Sequence, residues 1–120
     1  MAQVVSLHIG TDRPRELGEF YRKLLDMEPA WSSDEMIGFV MGNFRLEIMG
    51  HSQVSGLNQQ PQRLFFDLEV DDLRAEFERI IGLGAMAVQA PYDYADEAVS
   101  FTLATLADID GNYFQLVSMN

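Results

Sequence analysis

The feature of this chain that most constrains its fold is a layout that occurs twice. A short apolar run over residues 4–10 leads through an acidic turn into a helix-like stretch, Pro14–Leu25. The same order returns over residues 64–70, which lead into Leu73–Ile81. Strand-like runs punctuated by glycine then follow each helix. This repetition within one small chain predicts two similar modules, whose sheets can curl around a shared cavity.

Both helix-like stretches have the apolar spacing of an amphipathic helix. In the first stretch Leu17, Phe20 and Leu24 fall on one face, and in the second Leu73 and Phe77 do so. Aspartates that can cap a helix precede each stretch, and glycines follow the second one. The spacing therefore predicts one helix in each module.

The polar segment HSQVSGLNQQPQ separates the two halves and is typical of a linker. We therefore predict module one over 1–50, a linker over 51–62 and module two over 63–120, all within a single domain. A second segment, Pro91–Glu97, is acidic and aromatic and predicts a loop. It could border a binding site, but a solvated turn is the commoner use of such a segment.

Composition limits the classes of partner. The 120 residues are 48% hydrophobic, which suffices for one core, and their formal net charge of −11 repels nucleic acids and anionic membranes. No apolar run is long enough to span a membrane, and there is no cysteine to form a disulfide or bind a metal. We expect a cytoplasmic protein that binds neither nucleic acid nor membrane.

Alternation along the strands assigns side chains to faces. In the first strand Val5, Leu7 and Ile9 are apolar and are predicted to pack against the helices, which turns Ser6 and His8 into the cavity. Polar groups at strand centres on the face opposite a helix are the candidates for chemistry. The same alternation assigns further side chains to the cavity face: Arg45, Glu47, Phe65, Asp67, Tyr113 and Gln115.

Three stretches together resemble the vicinal oxygen chelate superfamily, which includes glyoxalase I, extradiol dioxygenases and bleomycin-resistance proteins. They are TDRPRELGEFYRKLL, FDLEVDDLRAEFERIIGLGA and DIDGNYFQLV, and with RLEIM they cover nearly the whole chain. The resemblance implies an α+β fold in which two βαβββ modules form a cupped, mixed and mostly antiparallel sheet. It also points to a homodimer, as do the exposed strand edges of such modules.

Metal-dependent members of this superfamily use four inward side chains, one on the first and one on the last strand of each module. Matched to this sequence, those positions fall on Ser6, Glu47, Phe65 and Gln115. Only Glu47 matches the usual ligand, and Phe65 cannot ligate a metal. The resemblance therefore implies that the standard metal site is lost, and we predict no cofactor.

A displaced divalent-metal site is the alternative. His8 lies two residues after Ser6, and Asp67 lies two residues after Phe65, so the displacement is the same in both halves. Together with Glu47 and Gln115 they would offer an imidazole, two carboxylates and an amide, which suits a divalent metal. The same groups can instead simply satisfy one another by hydrogen bonding.

Three functions follow as hypotheses. The first is metal-independent binding of a small, cationic molecule, with Ser6, Phe65, Asp67, Gln115, Tyr113 and Trp31 as candidate ligand-binding residues. The second is a lyase, isomerase or dioxygenase in which His8 and Glu47 are catalytic, with His8 as a general base or with a metal in the displaced site. The third is an interaction module that retains an unused cup.

Overall fold

The computed structural model describes residues 1–120, which divide into two compact units, Met1–Gly56 (unit one) and Leu57–Asn120 (unit two). Unit one contains β1 (Ser6–Thr11), α1 (Pro14–Leu25), β2 (Trp31–Ser32), β3 (Met36–Met41) and β4 (Phe44–Gly50). Unit two begins with a 3-10 turn (Pro61–Arg63) and continues through β5 (Phe66–Glu69), α2 (Leu73–Ile81), β6 (Met86–Ala95), β7 (Ser100–Ala107) and β8 (Tyr113–Met119).

Each unit has its own four-stranded sheet, and the two sheets have the same topology. The strand orders are β1-β4-β3-β2 in unit one and β5-β8-β7-β6 in unit two. In each sheet the first strand pairs in parallel with the last, and the other two pairings are antiparallel. The predicted α+β class, with two βαβββ modules and mixed, mostly antiparallel pairing, is confirmed, and the sheets are two separate four-stranded ones.

Helix α1 covers one face of the sheet in unit one. Its apolar stripe is buried, and Phe20 and Tyr21 meet edge to face with ring centroids 5.2 Å apart. A Cβ added at Gly18 would lie 2.0 Å from Cδ1 of Ile37, so the glycine is what lets the helix approach β3 closely. The helix ends at Asp26, which adopts a left-handed conformation with φ 51°.

Helix α2 repeats this arrangement in unit two. The carboxylate of Asp72 accepts a hydrogen bond from the backbone N–H of Ala75 at 3.2 Å and caps the first turn. Leu73, Phe77 and Ile80 are buried on its inner face. Both helices have the predicted bounds, but α1 lacks the predicted aspartate cap: its N-cap residue is Arg13, and the carboxylate of Asp12 accepts from Gly56 instead.

The alternation of faces is largely as predicted. On β4, Leu46 and Ile48 are buried under α1, whereas Arg45 is exposed. On the first strand Ile9 is buried, but Leu7 is only half-buried and Val5 is 43% exposed. The expectation that Val5 packs against the helices is wrong, because Val5 precedes β1 and lies beyond the part of the strand that the core covers.

The segment Pro91–Glu97 is not the loop that its composition predicts. Residues Pro91–Ala95 are the last part of β6, an edge strand that pairs only with β7. The β6–β7 register shifts between Gln89 and Tyr92, so Pro91 falls in an irregular stretch where its missing N–H breaks no regular ladder. Edge position and irregularity explain why a proline is tolerated inside this strand.

Only the end of that segment is a turn, and its acidic groups have structural partners. The backbone N–H groups of Ala98 and Val99 each donate to Asp96 at 2.8 Å, and the Tyr94 hydroxyl donates to it at 2.9 Å. These three hydrogen bonds hold the pKa of the Asp96 carboxyl below its ordinary value. Asp96 therefore organises the β6–β7 turn.

The segment predicted as a linker, 51–62, is divided between the two units. On one side, the backbone N–H of Gly56 donates to the carboxylate of Asp12 at 3.0 Å. On the other, the backbone N–H of Asn58 donates to the carbonyl of Asp110 at 2.8 Å. Neither α1 nor α2 is long and apolar enough to cross a membrane.

The burial pattern leads to a stability prediction for unit one. Leu46→Ala should lower the free energy of unfolding by about 2–5 kcal/mol, because Leu46 is fully packed and the substitution leaves a cavity. Val40→Ala, at an exposed position on the neighbouring strand, should change it by less than about 0.5 kcal/mol. Urea unfolding of both variants checks this, and equal losses would show that the core of unit one is placed wrongly.

Candidate functional site on the open face of unit one

The sheet of unit one has one face that its helix does not cover, called here the open face. Helix α1 packs on β1, β3 and β4 from the side of Leu46 and Ile48. The alternate side chains therefore point away from α1. The predicted residues His8 and Glu47, in β1 and β4, lie on this open face.

Four residues form one row across the open face. In the strand register, His8 lies opposite Glu47, Glu47 opposite Gly38, and Gly38 opposite Trp31. Because residues directly opposite in a sheet share a face, these four point the same way. The row runs through all four strands of the sheet, and we call it the central row.

The glycine in the central row makes room for the tryptophan. A Cβ added at Gly38 would lie 2.0 Å from Cε2 of Trp31, so the indole ring lies directly over the glycine. Trp31 is still 36% exposed. The result is an accessible aromatic surface in the position next to Glu47 in the row.

The other end of the row is a histidine–carboxylate pair. Nε2 of His8 lies 2.7 Å from Oε2 of Glu47, and their side chains are 51% and 12% exposed. An ionised carboxylate can only accept, so the imidazole donates its Nε2–H to Glu47. Its other nitrogen, Nδ1, lies 3.3 Å from Sδ of Met49.

The rows on either side differ in character. Ser6 lies opposite Arg45, which is exposed and positively charged, and Val40 completes that row. The row beyond the pair joins Met49 with Met36. The register therefore places His8, and not Ser6, directly opposite Glu47.

The equivalent row in unit two is polar and not aromatic. It joins Asp67, Gln115, Thr105 and Gln89, and the Gln115 amide donates to the Thr105 hydroxyl at 3.2 Å. Phe65 immediately precedes β5 and is 42% exposed. Tyr113 lies opposite Ala107 and is half-buried.

The predicted site residues thus fall into two groups, one in each unit. The structure brings His8, Glu47 and Trp31 together in unit one, with Ser6 one row away. In unit two it brings Asp67 and Gln115 together, with Tyr113 one row away. Gly38, Arg45 and Met49 complete the open face of unit one; strand alternation places Arg45 and Met49 on that face, but it does not mark Gly38 as a site residue. The sequence does contain a signal for Gly38, because a glycine inside a strand, here MIGFVM, often marks a place where another group packs closely against the backbone.

Neither unit by itself supplies a complete set of ligands for a divalent metal. A first-row metal needs about three or four nitrogen or oxygen ligands. Unit one offers His8 and Glu47, unit two offers Asp67 and Gln115, and no group of three or more histidine, aspartate or glutamate side chains is suitably placed.

Two grooves in unit one lie away from the central row. The larger, of about 980 Å³, lies along α1 and includes Arg15, Arg22 and Asp34. The smaller, of about 580 Å³, is at the start of α1 and includes Asp12 and His51. Neither includes His8, Glu47 or Trp31. We place the candidate site on the open face because an imidazole, a carboxylate and an exposed indole share one row there.

Residues 5–117 match the model of the glyoxalase-like domain, and the chain belongs to this family. The resemblance to the vicinal oxygen chelate superfamily is thereby confirmed. No curated protein matches the sequence.

Solved structures show the same fold at low sequence identity. A glyoxalase/bleomycin resistance protein/dioxygenase family enzyme from Burkholderia phytofirmans PsJN has a TM-score of 0.80 at 18% identity, over 99% of this chain and 100% of that one. A glyoxalase-related enzyme from Fulvimarina pelagi has a TM-score of 0.80 at 16% identity, over 98% of this chain and 88% of that one. A virulence protein from Salmonella typhimurium has a TM-score of 0.72 at 11% identity, over 100% of this chain and 98% of that one. At these identities the likeness concerns the fold alone.

The position of the indole can be tested directly, because Trp31 is the single tryptophan of the chain. Gly38→Ala should push the ring off the sheet, since the new Cβ would overlap it. We expect a red-shifted tryptophan emission and stronger quenching by acrylamide, with Val40→Ala as the control. An unchanged spectrum in a folded Gly38→Ala protein would mean that the ring does not lie over the glycine.

Proposed function

We propose that this protein binds a small organic cation on the open face of unit one and does so without a divalent metal. The observation that carries the proposal is the central row, where an exposed indole and a carboxylate lie in adjacent positions. An aromatic face and an anionic group attract the same kind of ligand, one with a positive charge on or beside a flat body. The acidic chain, with a formal net charge of −11, favours the approach of such a ligand.

The row also suggests how the ligand would be oriented. His8 is bonded to Oε2 of Glu47, which leaves Oε1 to accept a hydrogen bond from the ligand. Arg45 lies on the same face in the neighbouring row and repels a positive charge. The cationic end should therefore lie between Glu47 and Trp31, and away from Arg45.

Unit two has its own, weaker candidates for ligand binding. Asp67 and Phe65 are exposed, and Gln115 and Tyr113 are half-buried, so all four are accessible to a ligand. Ser6 is accessible in unit one. They remain proposed ligand-binding residues, and the proposal keeps the cytoplasmic location that the sequence predicts.

Binding assays with matched probes test the proposal. A planar aromatic quaternary ammonium compound should bind and a neutral probe of the same shape should bind at least tenfold more weakly, as expected when about 1.4 kcal/mol of charge interaction is lost. Glu47→Gln and Trp31→Leu should each weaken binding of the cationic probe by about tenfold, measured by calorimetry or equilibrium dialysis. Val40→Ala is the control. Equal binding of the charged and neutral probes would overturn the proposal.

One observation favours an enzyme as the second candidate. The 2.7 Å contact between His8 and Glu47 orients the imidazole as in many general bases, and this suits a metal-free lyase or isomerase. An enzyme would change the mass or structure of its bound ligand, whereas a binder returns it intact. In the enzyme, His8→Ala would abolish turnover and leave binding of the ligand largely unchanged.

We further propose a homodimer that pairs through β6. This edge strand exposes several large apolar side chains: Met86, Val88, Tyr92 and Tyr94. Its one charged residue, Asp93, lies 3.4 Å from Arg74, and the Thr102 hydroxyl and Arg74 hold the pKa of its carboxyl below the ordinary value. The chain is strongly acidic, but on β6 the single negative charge of Asp93 is paired with Arg74. A second copy can therefore approach this edge with little electrostatic repulsion.

Light scattering tests the dimer. The protein should have a dimer mass at micromolar concentration, and Val88→Lys should shift it toward the monomer because it places a charge on the pairing edge. Val40→Lys, at a similarly exposed apolar position in unit one, should not. A monomer mass for the unmodified protein would contradict the proposal.

A further inference from the structure

The contact between His8 and Met49 has no role in the proposed function. Nδ1 of the imidazole lies 3.3 Å from Sδ of the methionine, on the open face of unit one. At the same time Nε2 of the ring lies 2.7 Å from Oε2 of Glu47. The histidine is thus held between a carboxylate on one side and a thioether on the other.

Counting hydrogens shows what is unusual about this contact. The hydrogen between the ring and Glu47 belongs to Nε2, because a carboxylate has none to donate. In the neutral imidazole, Nδ1 then carries a lone pair, and a thioether sulfur has no hydrogen either. In the neutral ring two lone-pair donors therefore face each other, which is the arrangement that a cation can bridge, whereas in the protonated ring Nδ1–H donates to the sulfur.

We propose that His8 and Met49 form a binding site for a cuprous ion. A thioether and an imidazole are ligands that favour Cu(I), whereas carboxylates and carbonyls favour harder ions. Glu47 is the group that a metal-binding histidine needs on its other nitrogen, because it holds the ring in one tautomer and orientation. This set of donors differs from the four inward ligands that the metal-dependent members of the superfamily use.

A third donor is available on the same face. Met36 lies directly opposite Met49 in the β3–β4 register and is half-buried, as Met49 is. Methionine side chains are flexible, so the Met36 thioether can turn toward an ion held by its neighbour. The His8 side chain is 51% exposed, which leaves the site open to an ion from solution.

The test is a competition for Cu(I) between the protein and a coloured cuprous chelator such as bathocuproine disulfonate, under reducing and anaerobic conditions. The protein should take up one equivalent, and Met49→Leu and His8→Asn should each weaken uptake by at least tenfold. Met119→Leu is the matched control, because Met119 is an exposed methionine in unit two. Equal uptake by the Met49→Leu and Met119→Leu proteins, or no uptake by the unmodified protein, would overturn the proposal.

A second measurement identifies the donors. Ag(I), which mimics Cu(I) without redox chemistry, should shift the NMR signals of the His8 ring and the Met49 methyl group, and a smaller shift is expected for Met36. Zn²⁺ should not displace it, since the thioether of Met49 is a soft ligand that zinc does not favour. Silver-induced shifts confined to other methionines would contradict the assignment, as would the absence of any shift.

This proposal and the proposed function can fail independently. Met49→Leu should abolish cuprous binding and leave the organic cation probe bound, whereas Trp31→Leu should have the opposite effect. Circular dichroism and unfolding midpoints establish that both variants are folded. Loss of both activities in each variant would show that Met49 and Trp31 serve one common site, which would overturn the separate copper site.

Discussion

The parallel pairing of β1 with β4 is the constraint on which the candidate site depends. These two strands are far apart in sequence, and their register alone sets His8 opposite Glu47 at a distance of 2.7 Å between side-chain atoms. Helix α1 is the connection after β1, and it covers the opposite face of the sheet. A shift of one residue in this register would turn Glu47 toward the helix and bring the apolar core to the surface.

The two units show how one topology can present different chemistry. Both sheets have the same strand order, and equivalent positions form a row across each of them. In unit one the row contains an imidazole, a carboxylate, a glycine and an indole, and in unit two it contains a carboxylate, two amides and a hydroxyl. The apolar side chains on the helix-covered faces hold each sheet in place, so the side chains on the open faces can differ between the two units without changing the fold.

The open face of unit one combines aromatic, charged and sulfur-containing side chains. A glycine accommodates a large aromatic ring, a carboxylate orients a histidine, and that histidine also contacts a thioether. The contact of the indole with the glycine and the contact of the histidine with the thioether involve different residues, which is why an organic cation and a soft metal ion can be proposed for neighbouring positions. The position of Arg45 in the next row limits how far a positive ligand can extend.

The sequence by itself determined the repeat, both helices and the alternation of faces in the central strands, because these follow from local periodicity and, at α2, from capping by Asp72. It did not identify β6 as a strand, because Pro91 and the acidic residues around it are typical of a loop, and only an edge position with an irregular register accommodates them. Nor could alternation alone place Val5, whose burial depends on how far the core extends along the strand. The tertiary structure decided which polar groups are neighbours: His8 with Glu47, Trp31 over Gly38, and Met49 beside the imidazole. Those contacts depend on pairing between strands distant in the chain, and a local pattern carries no information about register.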